Sequence, residues 1–285
     1  MSNVINKLSK IGLVPVIKID KIEDAKPLAK ALINGGLPCA EVTFRTPCAK
    51  EAIQVITKEY PDMIVGAGTV LTRNQVDDAI SAGAKFITIS GLNLDIVKYC
   101  QEKGCPVVTG INNPTGIGQA NLLGINTVKN LPAEQSGALN ISSCGSGILK
   151  PEMIAKGDFD GIEKIVRQAV DAMLGFKFRH IGVNPCNDTA GSAANTLNKF
   201  FSFDLDENPK SIFVGIAFEM MKDKGPGTHG HVAIETNNVE RAVYHLERRG
   251  VKFDYSTAMY NDSGAMKFIY IAEEINGFAY HLIQY

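Results

Sequence analysis

The chain has 285 residues, and because a single hydrophobic core rarely grows far past ~250 residues, this length favours two domains. Hydrophobic residues make up 45% of the chain and charged residues 21%, which excludes wholesale disorder. Lys and Arg number 29 against 30 Asp and Glu, so there is no basic excess of the kind that binds nucleic acid.

The N-terminal sequence MSNVINKLSKIGLVPVIKID lacks the apolar run of a signal peptide, and no stretch of ~18 apolar residues could span a membrane. The six cysteines are scattered without CxxC spacing, which is typical of reduced thiols rather than of disulfides or a zinc site. We therefore expect a cytoplasmic protein that binds neither membranes nor nucleic acid.

Short apolar runs recur along the first half of the chain, each apolar on both faces, as buried parallel strands are. We predict six strands, at residues 13–19, 39–44, 64–71, 85–90, 106–111 and 127–132. Amphipathic stretches such as 23–36 and 74–84 predict helices between them. The alternation predicts a βα barrel or a doubly wound sheet, and the lack of GxGxxG after the first strand disfavours dinucleotide binding.

The alternation breaks after the sixth predicted strand. Only eight residues, 133–140, separate that strand from the next apolar piece, and a parallel crossover needs a dozen or more. We therefore predict a truncated, gapped (β/α) barrel of TIM type. Residues 141–147 should lie at an edge of the sheet or antiparallel beside the sixth strand.

A helix at 158–174, capped by Asp158 and ended by Gly175, completes the first predicted domain, residues 1–176. The second predicted domain, 177–285, follows a different pattern, in which one strand, one helix and further strands occur twice. This pattern predicts an α+β domain built from two βαβββ modules.

Polar residues inside or at the ends of barrel strands are candidates for chemistry, because active sites of βα barrels lie at the C-terminal ends of the strands. Four stand out: Glu41, Arg45, Thr69 and Lys129. Burial favours the neutral, nucleophilic form of an amine, so a strand lysine can form a Schiff base with a ketone. Lys129 could equally cap its strand or form a structural pair with Glu41 or Glu134.

Taken in order, the motifs GLVPVI, AEVTFRT, VGAGTVL and VK-x-x-PAE resemble the 2-keto-3-deoxy-6-phosphogluconate (KDPG) and 4-hydroxy-2-oxoglutarate (KHG) aldolase family over residues 10–176. The resemblance implies a class I aldolase without a cofactor, commonly a homotrimer, that releases pyruvate from a 2-keto-3-deoxy sugar acid. It also implies Lys129 as the imine-forming lysine, Glu41 as the acid and base, and Arg45 and Thr69 as substrate-binding groups.

The chain departs from the family pattern after the PAE motif. Roughly 30 residues, including a seventh strand and a Gly-Gly phosphate loop, have no counterpart when judged against the unit length of an eight-unit barrel. Gly145 and Ser146 match the Gly-Ser of the last phosphate loop, so the resemblance implies that they bind substrate. Ser90 replaces a proline, and Leu131 replaces an aromatic residue. We expect the gap to expose the imine site to water.

The second half resembles the vicinal oxygen chelate, or glyoxalase-like, fold over residues 178–285, with GHVAI and GFAYHLI as the most telling pieces. The resemblance implies one metal ligand from each of four strands: His180, Glu219, His231 and His281. Three imidazoles and a carboxylate suit Zn²⁺, Ni²⁺ or Fe²⁺. A divalent metal in the C-terminal domain is therefore the expectation.

Three functions remain open from the sequence. The leading hypothesis is the class I aldolase, with a small-molecule 2-oxo acid as substrate. The first alternative is a metal-dependent vicinal oxygen chelate lyase or isomerase that uses the truncated barrel as a scaffold. The second alternative is a degenerate, non-catalytic barrel that binds a 2-oxo acid or a partner subunit.

Overall fold

The structure is a computed structural model that describes residues 3–111, 113–125, 127–130, 143–145, 148–186 and 189–284. The chain forms two compact units, Met1–Val170 and Asp171–Tyr285. No helix within the described ranges is long and apolar enough to cross a membrane.

The first unit alternates strands and helices. Its strands are β1 (Leu13–Ile17), β2 (Cys39–Thr43), β3 (Ile64–Gly68), β4 (Phe86–Ile89), β5 (Val107–Ile111), β6 (Val128–Asn130) and β7 (Ser143–Gly145). Its helices are α1 (Asn3–Ile11), α2 (Ala25–Gly35), α3 (Ala49–Glu59), α4 (Arg73–Ser81), α5 (Leu94–Glu102), α6 (Pro114–Leu122), α7 (Pro151–Ala155) and α8 (Phe159–Leu174), which continues into the second unit. All six predicted strands are present.

The seven strands form one parallel sheet in the order β6-β5-β4-β3-β2-β1-β7. In the described part of the chain β6 and β7 are the two edges of this sheet, so the expected gap is present. The option of an antiparallel strand beside β6 is wrong. Instead β7 pairs in parallel with β1, where Leu13 faces Ser143 and Pro15 faces Gly145. This is the position that the last strand takes when a barrel closes.

Helix boundaries in this unit follow from capping residues in the sequence. Thr72 and Gln75 form a capping box at the start of α4, and Asn93 caps α5 with its side-chain oxygen. Asp158 accepts a hydrogen bond from the amide of Gly161, as the predicted cap requires. These helices begin shortly after the C-terminal ends of strands, which leaves short loops where barrel active sites lie.

The two faces of the sheet differ in chemistry. The face toward the helices carries fully buried apolar residues such as Val42 and Ile87. The interior face carries Glu41, Thr88 and Lys129, which are 2%, 3% and 8% exposed. The expectation that the gap exposes the lysine to water is therefore wrong for these side chains.

The second unit repeats one pattern twice. The first round is β8 (Lys177–Val183), α9 (Ala190–Phe201), β9 (Leu205–Glu207), β10 (Ser211–Val214) and β11 (Phe218–Met221). The second round is β12 (Gly230–Thr236), α10 (Val239–Arg248), β13 (Phe253–Tyr260), β14 (Met266–Ile271) and β15 (Phe278–Gln284). The order matches the duplicated βαβββ pattern that the sequence predicts.

These eight strands form one sheet in the order β13-β14-β15-β12-β8-β11-β10-β9. The first strands of the two rounds, β8 and β12, pair antiparallel at its centre. The four predicted metal ligands therefore lie on four adjacent strands, β15, β12, β8 and β11.

Candidate active site and candidate metal centre

Lys129 and Glu41 meet inside the parallel sheet, 88 residues apart in sequence. Nζ of Lys129 lies 3.3 Å from both carboxylate oxygens of Glu41. Lys129 projects from β6 and Glu41 from β2, so the two side chains meet across three intervening strands. Of the partners that the sequence left open for Lys129, Glu41 is the one in contact, and Glu134 lies outside the described residues.

The intervening strands carry glycines, and one of them provides space for this meeting. A Cβ placed at Gly68 of β3 would collide with the carboxylate of Glu41, and one at Gly66 would collide with the ring of Phe86. On β5, Gly110 pairs with Lys129 and presents no side chain. The missing side chain at Gly68 therefore leaves room for the carboxylate of Glu41 in a packed interior.

The pair is a buried ion pair with a short path for a proton. Both groups are almost fully shielded from water, so each charge depends on the other for compensation. Movement of one proton from the ammonium of Lys129 to the carboxylate of Glu41 would leave a neutral amine beside a carboxylic acid. An uncharged lysine next to an acid is the arrangement that Schiff-base chemistry requires.

The structure does not bring the other predicted barrel residues into contact with this pair. Arg45 is exposed in the turn after β2, and none of its described neighbours accepts a hydrogen bond from it. Thr69 follows β3, is half-buried and has a φ of 56°, a left-handed conformation that is costly for a threonine. Gly145 ends β7 beside β1. Ser146 lies outside the described residues.

A small cavity of about 20 Å³ lies beside the ion pair. Glu41 and Lys129 line it together with Thr88 and Val108. This volume accommodates one water-sized group, so the cavity can hold a single oxygen next to the amine.

The family follows from a comparison over this part of the chain. Residues 4–150, just over half of the sequence, match the family described as "Aldolase: KDPG and KHG aldolase". This chain belongs to the KDPG and KHG aldolase family. It is similar to the 2-dehydro-3-deoxy-phosphogluconate aldolase of Haemophilus influenzae, with 36% identity over 202 aligned positions, gaps included, which cover 59% of this chain and 95% of the relative. Because 59% of this chain is fewer residues than the 202 aligned positions, some residues of the relative have no counterpart in this chain.

Solved aldolases of this family share the fold of the first unit. The KDPG aldolase of Legionella pneumophila, with pyruvate captured as a covalent carbinolamine intermediate, has a TM-score of 0.53 and 27% identity, covering 56% of this chain and 96% of that chain. The KDPG aldolase of Zymomonas mobilis with 3-phosphoglycerate has a TM-score of 0.51 and 30% identity, covering 59% and 95%. The KDPG and KHG aldolase part of this chain is thus a truncated TIM-like sheet.

In the second unit of this aldolase-family chain, the three predicted histidine ligands converge, and the predicted glutamate contacts two of them. Nε2 of His180 and Nε2 of His231 are 3.3 Å apart, and they lie 3.2 and 3.1 Å from Oε2 of Glu219. One donor nitrogen from each of these histidines and one from His281 lie within 4.8 Å of one another. All three histidines are buried.

The charges of this cluster are shaped by burial and hydrogen bonding. Burial acts to raise the pKa of Glu219, but hydrogen bonds from His180, His231 and Ser211 hold it well below its usual value. Burial and, to a smaller extent, the neighbouring histidines lower the pKa of His281 to about 3. The cluster therefore presents neutral imidazole at His281 and an ionised carboxylate at Glu219.

Distances in the cluster fit a transition metal. Ligand atoms at ~2.05 Å around a tetrahedral ion are separated by about 3.3 Å, close to the three measured separations. Nδ1 of His231 and Nδ1 of His281 are buried without a described hydrogen-bond partner. A neutral imidazole carries a lone pair on one ring nitrogen. His281 would donate this lone pair to a bound metal ion.

Sequence reasoning missed several residues around both sites. Ser211 is fully buried and donates a 2.6 Å hydrogen bond to Oε1 of Glu219. The rings of Tyr270 and Phe268 pack against His281, at 5.0 and 4.5 Å between centroids. In the barrel, Thr88 is a polar residue at an interior position of an apolar strand, and that signal could have identified it.

Proposed function

We propose that this chain is a class I aldolase that cleaves a 2-keto-3-deoxy sugar acid to pyruvate and an aldehyde. The observation that carries the proposal is the buried contact between Nζ of Lys129 and both oxygens of Glu41. Relatives named KDPG and KHG aldolase support it, as does the pyruvate carbinolamine in the Legionella neighbour. KDPG and KHG are the proposed substrates.

Imine formation uses the ion pair directly. Glu41 takes one proton from the ammonium of Lys129, and the amine attacks the C2 carbonyl of the substrate to form a carbinolamine. The carbinolamine hydroxyl then leaves as water after Glu41 returns a proton to it, which produces an iminium ion.

Carbon–carbon cleavage reuses the same carboxylate. Glu41 removes the proton of the C4 hydroxyl, the C3–C4 bond breaks, and its electron pair moves toward the iminium nitrogen of Lys129. The products are an aldehyde and an enamine, and the enamine is protonated and hydrolysed to pyruvate. No cofactor takes part in these steps.

Substrate binding is assigned to residues near the C-terminal ends of the strands. Arg45 supplies a cation for an anionic end of the substrate, since guanidinium and carboxylate groups pair with two parallel hydrogen bonds. Thr69, Gly145 and Ser146 complete the proposed binding set. A homotrimer is the proposed assembly.

Reductive trapping tests the aldolase proposal. Borohydride added with pyruvate should reduce the imine to a stable adduct, which peptide mass spectrometry should place on Lys129. Lys129→Arg should abolish the adduct, because a guanidinium stays protonated and cannot add to a ketone. Lys18→Arg is a matched control, since Lys18 is a strand-end lysine paired with Asp20. Folded wild-type protein that shows no adduct at saturating pyruvate would refute the proposal.

A metal centre in the second unit is a second candidate function, favoured by the cluster of three buried histidines and by the contact of Glu219 with two of them. We assign this centre to a vicinal oxygen chelate-like domain at residues 177–285, following an aldolase-like domain at 1–176; the duplicated βαβββ order supports this assignment. A bound divalent ion would supply Lewis acidity to an oxygen-bearing substrate of a lyase or isomerase.

A further inference from the structure

Thr88 shares the cavity of the ion pair, yet no role has been assigned to it. It lies on β4, where it pairs with Gly68 of β3 and with Val108 of β5. Its side chain lines the cavity together with Glu41 and Lys129. The carboxylate of Glu41 lies over Gly68, and neighbouring strands are ~4.8 Å apart, so the threonine is next to that carboxylate.

The hydroxyl of Thr88 has no hydrogen-bond partner within the described residues. Two other buried threonines of the sheet use their hydroxyls on backbone carbonyls. Thr43 donates to the carbonyl of Ile17 at 3.1 Å, and Thr109 donates to that of Gly110 at 3.5 Å. Thr88 is 3% exposed and its side chain lines the cavity, so the hydroxyl meets the cavity rather than a protein acceptor.

Packing does not explain a hydroxyl at this position. Apart from Thr127, the other described residues around the cavity are apolar: Ile5, Leu8, Val14, Phe86, Val108 and Val128. A valine would have the same shape as Thr88 without an unpaired hydroxyl. The free donor is therefore placed for a group that enters the cavity beside Lys129, and the cavity has room for about one oxygen atom.

We propose that Thr88 is a further residue of the reaction site, whose hydroxyl donates a hydrogen bond to the C2 oxygen of the substrate. This inference rests on the proposed aldolase function. When the Nζ–C2 bond forms, the carbonyl π pair moves to that oxygen, and a donor fixed beside it stabilises the new negative charge. The oxygen leaves as water with two protons from the ammonium of Lys129, relayed through Glu41, and Thr88 keeps its own proton.

Two variants of Thr88 separate the hydroxyl from the shape of the side chain. Thr88→Val removes the donor and keeps the shape, and Thr88→Ser keeps the donor. Thr109→Val is the matched control, because it removes a buried hydroxyl from the helix-facing side of β5. The measurements are the rate of borohydride-dependent adduct formation at Lys129 with pyruvate, kcat and KM for KDPG cleavage, and thermal unfolding.

We expect Thr88→Val to slow adduct formation and kcat by roughly 10- to 100-fold, the range for loss of one hydrogen bond to a charged group. Thr88→Ser should stay within a few-fold of the wild type, and so should Thr109→Val. A Thr88→Val protein that traps pyruvate at the wild-type rate would overturn the inference, as would equal losses in the Val and Ser variants. A wild type without any adduct on Lys129 would instead refute the aldolase function. The proposed role of Thr88 depends on that function and would be refuted as well.

Discussion

The carboxylate of Glu41 occupies the space that a side chain at Gly68 would fill. The backbone of Gly68 does not adopt a left-handed conformation, so the glycine is required for space and not for backbone geometry. This space allows Glu41 to extend along the interior of the sheet to Lys129. The geometry of the ion pair therefore depends on a residue that carries no functional group.

The first prediction is that Gly68→Ala disables the site without unfolding the protein. The new methyl group would displace the carboxylate of Glu41 and lengthen its contact with Lys129. We expect kcat to fall at least ~10-fold, since a misplacement of ~1 Å can cost about 100-fold. Gly118→Ala in α6 is the control, because no described atom outside the local helix backbone lies within 4 Å of its added Cβ. Wild-type kcat in Gly68→Ala would contradict this account of the site.

The second prediction separates imine formation from cleavage. Glu41→Gln keeps the size of the side chain and an oxygen that can accept a hydrogen bond from Lys129, but it cannot relay protons. We expect slow formation of the borohydride-trapped adduct and a loss of ~10²- to 10⁴-fold in the cleavage rate, as is typical when general acid–base catalysis is removed. Equal cleavage rates in variant and wild type would assign the proton transfers to another group.

The strands of the first unit could be predicted because each is a short apolar run. The gap could also be predicted, since it follows from counting residues after the sixth strand. The pairing of β7 with β1 could not, because it joins residues 13–15 to residues 143–145 and leaves no local signal. The location of the exposed strand β9 within the predicted βαβββ pattern could not be predicted either, because Leu205, Asp206 and Glu207 have no buried face.

The residues of the candidate sites were predicted unevenly. Glu41 and Lys129 carry charges in apolar strands, so the sequence identifies them. The role of Gly68 depends on the path of a side chain from a different strand. Thr88 is a polar residue in an apolar strand, but its place beside Glu41 depends on strand pairing. Ser211 is recognisable only from its contact with Glu219, eight residues further along the chain. Such neighbours depend on three-dimensional packing, which spacing in the sequence does not encode.

The third prediction concerns the metal. Protein expressed with supplemented metal should contain close to one equivalent of transition metal, measured by elemental analysis, and His231→Ala should lose it. His229→Ala is the matched control, because His229 is exposed and lies outside the cluster two residues away. Free metal at 100 times its Kd should raise the free energy of unfolding of the second unit by about 2.7 kcal/mol. Equal metal contents in the two variants, or none in the wild type, would exclude this site.

The last prediction concerns the group that orients Glu219. Nδ2 of Asn208 donates to Oγ of Ser211 at 2.9 Å, and Oγ donates to Oε1 of the glutamate at 2.6 Å. This chain of hydrogen bonds holds one carboxylate oxygen, so that Oε2 faces the two imidazoles of the cluster. Groups that orient a metal ligand typically contribute 10- to 100-fold in metal affinity.

Ser211→Ala should therefore weaken metal binding by about 10- to 100-fold in competition with a chelator, with the metal still bound at higher concentration. Ser256→Ala is the control, because the hydroxyl of Ser256 is exposed and bonds only to Asp254 among the described residues. A serine that merely packs against β11 would change the unfolding temperature but leave the dissociation constant unaltered. Equal dissociation constants for Ser211→Ala and the wild type would show that Glu219 finds its orientation without this hydrogen bond.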